Sequence, residues 1–448
     1  MLMEQDQNRM PQPTVKEQSS VPFAAAPNRT DFLLRLGPGL ITGAADDDPS
    51  GIATYSQVGA RFGMGMLWTM LFSFPLMAAI QEICGRLGRV TGAGIAANLR
   101  KHYPKPILYV VVLLLCIANI FNLGADIAAM GAATQLLLGG SLNVYAIVFG
   151  LVSLCFQVYI PYRGYVRYLK WLTIVLFAYI ATAFVVHVPW IKAIRATVIP
   201  TVSWNADYWM ALVAVLGTTI SPYLFFWQTS EEAEEVKVTP GESALKRKPS
   251  QAVEQFRRIT FDTRIGMALS NLIAFFIILT ASATIHSSGT GQGIQTAADA
   301  AKALQPLAGK LAFLLFAIGI IGTGLLAIPV LAGSAGYAVA ETFGWRASLE
   351  KKAAQAPKFY LVIGAATIIG VGLNFIGLNP IRALYWSAIL NGIVATPLMV
   401  MLMLMSSSKA VIGNFELPTY LRIVGWAATA VMSVASAGFL IMSALGKS

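Results

Sequence analysis

Three consecutive carboxylates, Asp46, Asp47 and Asp48, run directly into Pro49, Ser50 and Gly51 inside a stretch otherwise apolar enough to cross a membrane. Proline removes a helix hydrogen bond and clashes with the preceding turn, so a helix reaching Asp48 breaks there. A charged carboxylate at the bilayer centre costs at least about 3 kcal/mol on the lenient insertion scale, and is kept only when paired, hydrated or binding something. No Lys or Arg occurs between Leu36 and Ala60 to pair with it. Carbonyls freed by the break, beside a carboxylate, make a hard, oxygen-rich, negative cavity that attracts a cation, a divalent one best. Successive helical residues point in different directions, so the three aspartates cannot share one face. Asp48, at the break itself, is the expected ligand; Asp46 and Asp47 line a wet entry or meet polar groups. A second run, LVAVLGTTISPYLFFWQTS, carries Gly217, Thr218, Thr219, Ser221 and Pro222 at its middle. Unwound backbone at membrane depth survives only where protein or a wet cavity satisfies it.

The elements that must position these residues are membrane spans. The chain of 448 residues is 56% hydrophobic and only 12% charged, with a mean hydropathy of +0.66. Soluble domains run near a quarter charged, so a soluble enzyme is excluded. Apolar windows long enough to cross a bilayer fall near 36–60, 64–84, 107–137, 143–160, 166–187, 206–228, 262–284, 308–335, 358–377, 381–405 and 420–445. With the N-terminus inside, all but Arg61, Lys192, Arg195, Lys302, Lys310, Arg382 and Lys447 of the 32 lysines and arginines fall on the inner side. That asymmetry supports eleven spans and a cytoplasmic N-terminus. The net charge of +11 therefore reports topology rather than a nucleic-acid partner. Residues 1–32 read as a disordered cytoplasmic tail, and 33–448 as one transmembrane domain. Within it, 229–261 is the longest cytoplasmic loop, a solvated helix with a flexible linker. Cys84, Cys116 and Cys155 read as buried, inert thiols. The two broken spans are five apart, which points to inverted five-span repeats (spans 1–5 and 6–10) with a site at the midplane.

The run LGPGLITGAADDDPSGIATYSQVGARFGMGMLWTML, continued by QEICGRLGRVTG, resembles the first two spans of the NRAMP divalent-metal transporters, and GTTISPYLFFWQTS resembles their second broken helix. Span number and order agree over about residues 33–445. The resemblance implies a LeuT-like all-α fold, alternating access and divalent-metal uptake, in a bacterial cytoplasmic membrane. It implies no enzyme activity and no cofactor beyond the transported ion. Nothing in the sequence demands more than a monomer.

Departures from the family pattern carry the finer reading. The family's Asp-Pro-Gly-Asn is here Asp48-Pro49-Ser50-Gly51, so the Asp ligand is kept while Gly51 has only backbone to offer. In the family's Ala-x-x-Met-Pro-His, the Ala carbonyl falls to Thr218, the Met thioether becomes Ser221 and the His becomes Tyr223. A second family His corresponds to Gln228. A thioether favours softer ions such as Mn²⁺, Fe²⁺ or Cd²⁺, and a serine hydroxyl removes that discrimination. A site with fewer protein ligands suits an ion that keeps several waters, as Mg²⁺ does. Losing both histidines removes the groups that titrate near neutrality. The pattern is similar to the NRAMP-related magnesium transporters. It predicts voltage-driven uptake of Mg²⁺ and Mn²⁺ with weak or no proton coupling, ahead of proton-coupled Mn²⁺/Fe²⁺ import.

Other polar residues fall inside spans. Asp126 belongs to a helix on which the family carries acidic residues, with Asn119 and Asn122 nearby as partners. Asn391, on span ten, is an ion or water ligand or a contact between helices. Glu82 and Arg86 have i, i+4 spacing and read as a structural pair. His102, His187 and His286 are scattered, against a zinc site. An intramembrane aspartyl protease using Asp48 and Asp126 lacks its Gly-x-Gly-Asp signature. A LeuT-like sodium/amino-acid symporter would have to dock a substrate carboxylate beside three aspartates.

Overall fold

A computed structural model describes residues 42–43, 45–160, 164, 172–288 and 293–445. The expected tail, 1–32, lies outside them. The described residues are helical, with no strand. Nine of their helices are long and apolar enough to cross a membrane. In chain order, α1 (Pro49–Phe62) follows the first break, and α2 (Trp68–Thr91), α3 (Ile95–His102), α4 (Lys105–Leu138) and α5 (Leu142–Tyr159) follow it. The fifth expected span is partly described, as the short helix α6 (Phe177–Val185), and α7 (Trp190–Val198) succeeds it. The second half holds α8 (Ala206–Thr219), α9 (Pro222–Val238), α10 (Ala252–Thr284), α11 (Ala312–Phe343), α12 (Pro357–Leu373), α13 (Pro380–Ser407) and α14 (Thr419–Ala444).

The pairing of elements shows the repeat. Helix α1 packs on α8, α2 on α10, α4 on α11 and α5 on α12, so spans one to four each meet their counterpart five places on. The two breaks also correspond. Helical backbone at Ala45 and Asp46 stops at Asp47, and α8 stops at Thr219, with Ile220 and Ser221 between it and α9. Asp48 and Ser221 are both extended, and each is followed by a proline that opens the next half-helix. Proline is well placed there, because its missing N–H would have had no helical partner.

Close backbone approach holds the second break in place. A Cβ on Gly217 would stand 2.1 Å from the Ala388 carbonyl oxygen and 2.4 Å from the Gly392 nitrogen, and one on Gly392 2.6 Å from the Val213 oxygen. Helices α8 and α13 therefore cross with backbone against backbone, as small residues permit in membranes.

Three expectations change. The segment 229–261 is helix and linker as expected, α9 running on to Val238 and α10 starting at Ala252, but it is less solvated than expected. Two of its acids are buried and bonded. Glu232 accepts from Arg258 at 2.5 Å, while Glu234 accepts from the Tyr337 and Ser348 hydroxyls. Asn122 and Asn119 do not bond Asp126; they serve Asp48 and the Leu331 carbonyl. Of the thiols only Cys84 is buried, Cys116 being partly so and Cys155 exposed on α5. The Glu82–Arg86 pair forms as its spacing predicts, at 2.9 Å.

Gly217→Ala should destabilise the fold by about 1–3 kcal/mol, the usual cost of overpacking. A lowered Tm of the detergent-solubilised protein is the expected result; an unchanged Tm would contradict the backbone contact.

Candidate functional site

Asp48 caps α1 from the break. The Gly51 N–H donates to its Oδ1 at 2.7 Å, so the carboxylate takes the place of the carbonyl that proline displaced. The other oxygen, Oδ2, accepts from Asn122 Nδ2 at 2.9 Å and from the Tyr223 hydroxyl at 3.4 Å. The same hydroxyl, with one proton to give, also lies 3.1 Å from the Ala45 carbonyl oxygen, so it ties the second break to the first through either acceptor. A carboxylate offers roughly four acceptor directions. These contacts take up most of them. Asp48 is only 2% exposed and Tyr223 and Ser221 only 1%, so the site is closed to both sides of the bundle.

The two break motifs face each other at Gly51. A Cβ there would stand 3.0 Å from the Thr218 hydroxyl oxygen and 3.5 Å from the Asp46 carbonyl oxygen. The missing side chain at Gly51 and the extra hydroxyl at Thr218 are thus complementary. The site is less roomy than Gly51 alone suggests, because Thr218 occupies the freed space. Ser221 does not reach Asp48. Its hydroxyl sits within bonding distance of the Gly217 and Thr218 carbonyls, at 2.9 and 2.8 Å, and covers backbone oxygens that the break exposes. The Tyr223 carbonyl accepts from Ser334 on α11 at 2.9 Å, so span eight braces the same turn.

Asp46 and Asp47 turn away from Asp48 toward α10. Ser270 Oγ lies 2.6 Å from Asp46 Oδ2 and 3.1 Å from Asp47 Oδ1, and Asp46 Oδ1 has no partner. Gln228 accepts from Thr42 at 2.5 Å, bonding the first half of span one to α9. Asp126 is buried with both carboxylate oxygens unpartnered. It lies one turn beyond Asn122, on the same helix face. Asn391 is buried beside the α8–α13 crossing, its Oδ1 unpartnered, with no bond to Asp48. Ser50, at the start of α1, is joined to α13 through the Ser387 hydroxyl at 3.1 Å.

Two partners in this cluster escaped the sequence reading. Asn122 was visible as an intramembrane amide, but its i, i+4 spacing pointed to Asp126. Ser270 carries no motif at all, since hydroxyls are common in membrane helices. No group of three or more His, Cys, Asp or Glu side chains forms a metal cage among the described residues. The cluster therefore offers one carboxylate, backbone carbonyls and hydroxyls, a donor set of oxygen only.

Two broken helices facing each other across a repeated all-helical bundle define a multi-pass membrane protein of the LeuT-like transporter architecture. A family model described as natural resistance-associated macrophage protein-like (Nramp) matches residues 39–442, and the chain belongs to that family. It is 26% identical over 427 residues to the divalent metal cation transporter MntH of Klebsiella pneumoniae (strain 342), covering 92% of this chain and 95% of that one. Its fold matches the Eremococcus coleocola manganese transporter, solved with an aromatic bis-isothiourea compound. The TM-score is 0.72 at 16% identity, covering 94% of this chain and 89% of the other. The fold also extends to the nucleobase-cation-symport-1 transporter Mhp1 in a closed conformation, with a TM-score of 0.56 at 13% identity over 92% and 93% of the two chains.

Gly51→Ala should lower Tm, and adding Thr218→Ala should restore part of the loss. A coupling of about 0.5–3 kcal/mol is the range for residues in contact. Strictly additive Tm losses would mean that the two positions do not share the space.

Proposed function

We propose that this protein carries divalent metal cations through the membrane by alternating access, with Mg²⁺ and Mn²⁺ favoured and protons coupled weakly or not at all. The carrying observation is Asp48, a buried carboxylate at the break of span one, facing Thr218 and the break of span six. In this reading Asp48 and the carbonyl of Thr218 contact the ion, water fills the remaining positions, and Ser221 and the backbone of Gly51 line the cavity. The named functions of the relatives, a divalent metal cation transporter and a manganese transporter, support the substrate class. Oxygen-only donors support the harder ions within it, since a small ion that keeps several waters needs few protein ligands. Tyr223 stands where the family carries a titrating histidine, and a phenol in water ionises only near pH 10. The protein works as a multi-pass protein of the bacterial cytoplasmic membrane, with its N-terminal tail in the cytoplasm.

A second reading, proton-coupled Mn²⁺/Fe²⁺ import, draws on Ser270. Its hydroxyl has one proton yet lies within bonding distance of both Asp46 and Asp47, so a proton held on the pair would complete the bonding. A protease reading is disfavoured because the Gly-x-Gly-Asp signature is absent; Asp126 follows Gly124 and Ala125.

The test is a competition assay in proteoliposomes with Mg²⁺, Mn²⁺, Fe²⁺ and Ca²⁺ and a pH probe inside. Asp48→Ala should abolish uptake, and Asp48→Asn, which keeps a cap for the Gly51 N–H, should do so with little change in Tm; unchanged flux would remove Asp48 from the site. Interior pH should hold steady during uptake; stoichiometric acidification would establish the second reading. Ser221→Met frees the Gly217 and Thr218 carbonyls and adds a thioether. It should raise Mn²⁺ preference over Mg²⁺, and an unaltered preference would place Ser221 away from the ion.

A further inference from the structure

Far from the break, an open groove of about 580 Å³ lies where α2 nears its end and α10 begins. Arg86, Arg257, Arg264 and Thr260 supply its polar lining. Among the described residues the carboxylate bonded to these groups is Glu82; Glu416 shares a neighbouring cleft with Arg86 and pairs with Lys409. Glu82 bonds Arg86 at 2.9 Å, Arg264 at 3.3 Å, Thr260 at 2.7 Å and the Tyr420 hydroxyl at 3.0 Å. Asp262 stands beside Arg258, four residues before it on α10, and does not line the groove. Arg257 is exposed and has no ion pair among the described residues. The buried Glu82 carboxylate is shared by Arg86 and Arg264, and Arg257 adds a third guanidinium to the lining, which leaves the rim positive.

The floor of the groove is apolar. Phe261 and Ile265 line it, and the exposed side chains continue along α10 to Leu269 and Leu272. Positions 261, 265, 269 and 272 fall on one helical face, and each is more than two-fifths exposed on a helix long enough to cross the membrane. The positive rim thus sits at the end of an unbroken lipid-facing stripe. Arg86 lies over the Phe256 ring at 4.5 Å, and Arg264 pairs with Glu82 while its side chain stays 50% exposed. Their guanidinium groups are held in place with N–H donors still free, the arrangement that binds phosphate oxygens in a planar fork.

We propose that this groove binds the head group of an anionic phospholipid, the phosphate on Arg257 and Arg264 and one acyl chain along Phe261, Ile265, Leu269 and Leu272. Basic pockets between membrane helices at the cytoplasmic surface recognise anionic lipids through this combination of charge and apolar track. A soluble anion would use the rim but not the track. The bound phosphate sits beside the Glu82 network, which ties α2 to Arg264 and Thr260 on α10 and to Tyr420 on α14.

The test uses the purified, delipidated full chain, titrated with phosphatidylglycerol or phosphatidylcholine and read by native mass spectrometry. The wild type should retain one phosphatidylglycerol in preference to phosphatidylcholine, and excess inorganic phosphate should not displace it. Arg257→Gln, which breaks no ion pair, should weaken retention at least ten-fold at unchanged Tm. Phe261→Ala, which leaves every charge in place, should weaken it as well. Equal retention by the wild type and both variants would overturn the site. Displacement by inorganic phosphate would show a free-anion site and overturn the lipid.

Discussion

The structure depends on one interaction, the capping of a broken helix by its own aspartate. Where Pro49 ends the first half of span one, Asp48 turns back to accept the Gly51 N–H and receives Asn122 from span three and Tyr223 from span six. Each donor lowers the cost of holding a carboxylate away from water. Each also ties a different helix to the break. The charge that makes the stretch improbable as a plain membrane helix therefore fixes how three spans meet.

Around this point the protein replaces bulk with hydroxyls and bare backbone. Gly217 and Gly392 let α8 and α13 touch along their main chains, and Gly88 on α2 would place a Cβ 2.2 Å from the Thr229 carbonyl oxygen on α9. Ser221 reaches carbonyls at the second break, Ser270 two buried acids, and Ser334 and Ser387 tie the starts of α9 and α1 to neighbouring spans. Such contacts are short and directional. Helices joined this way sit close, as small residues permit in membranes.

Much of this architecture was legible in the residue order. The apolar windows located α4, α5, α12, α13 and α14 to within a few residues, while α2, α9, α10 and α11 run on past the apolar stretch at one end, and the two prolines marked both breaks. The site was legible in its motifs but not in its partners. Asp48, Gly51, Thr218 and Tyr223 do come together, whereas Asp46 and Asp47 turn to Ser270 and Gln228 meets Thr42. The acidic run after span six looked like a solvated loop because its charge matched one. Burial of Glu232 and Glu234 depends on Arg258, Tyr337 and Ser348, which are distant in sequence and carry no local signal.

The sequence by itself determined what costs are imposed: a carboxylate and a proline in apolar surroundings, small residues at crossings, and basic residues on one side. These follow from side-chain chemistry and local backbone sterics, which any chain carries before it folds. Only the tertiary structure decided how each cost is met. Asn122 rather than a cation side chain meets Asp48, the Thr218 hydroxyl fills the space beside Gly51, and Asp126 is left without a partner. The reason is geometric. A hydrogen bond needs its atoms within about 3 Å, and in a bundle of long helices that proximity is set by where the helices cross, which no local pattern encodes.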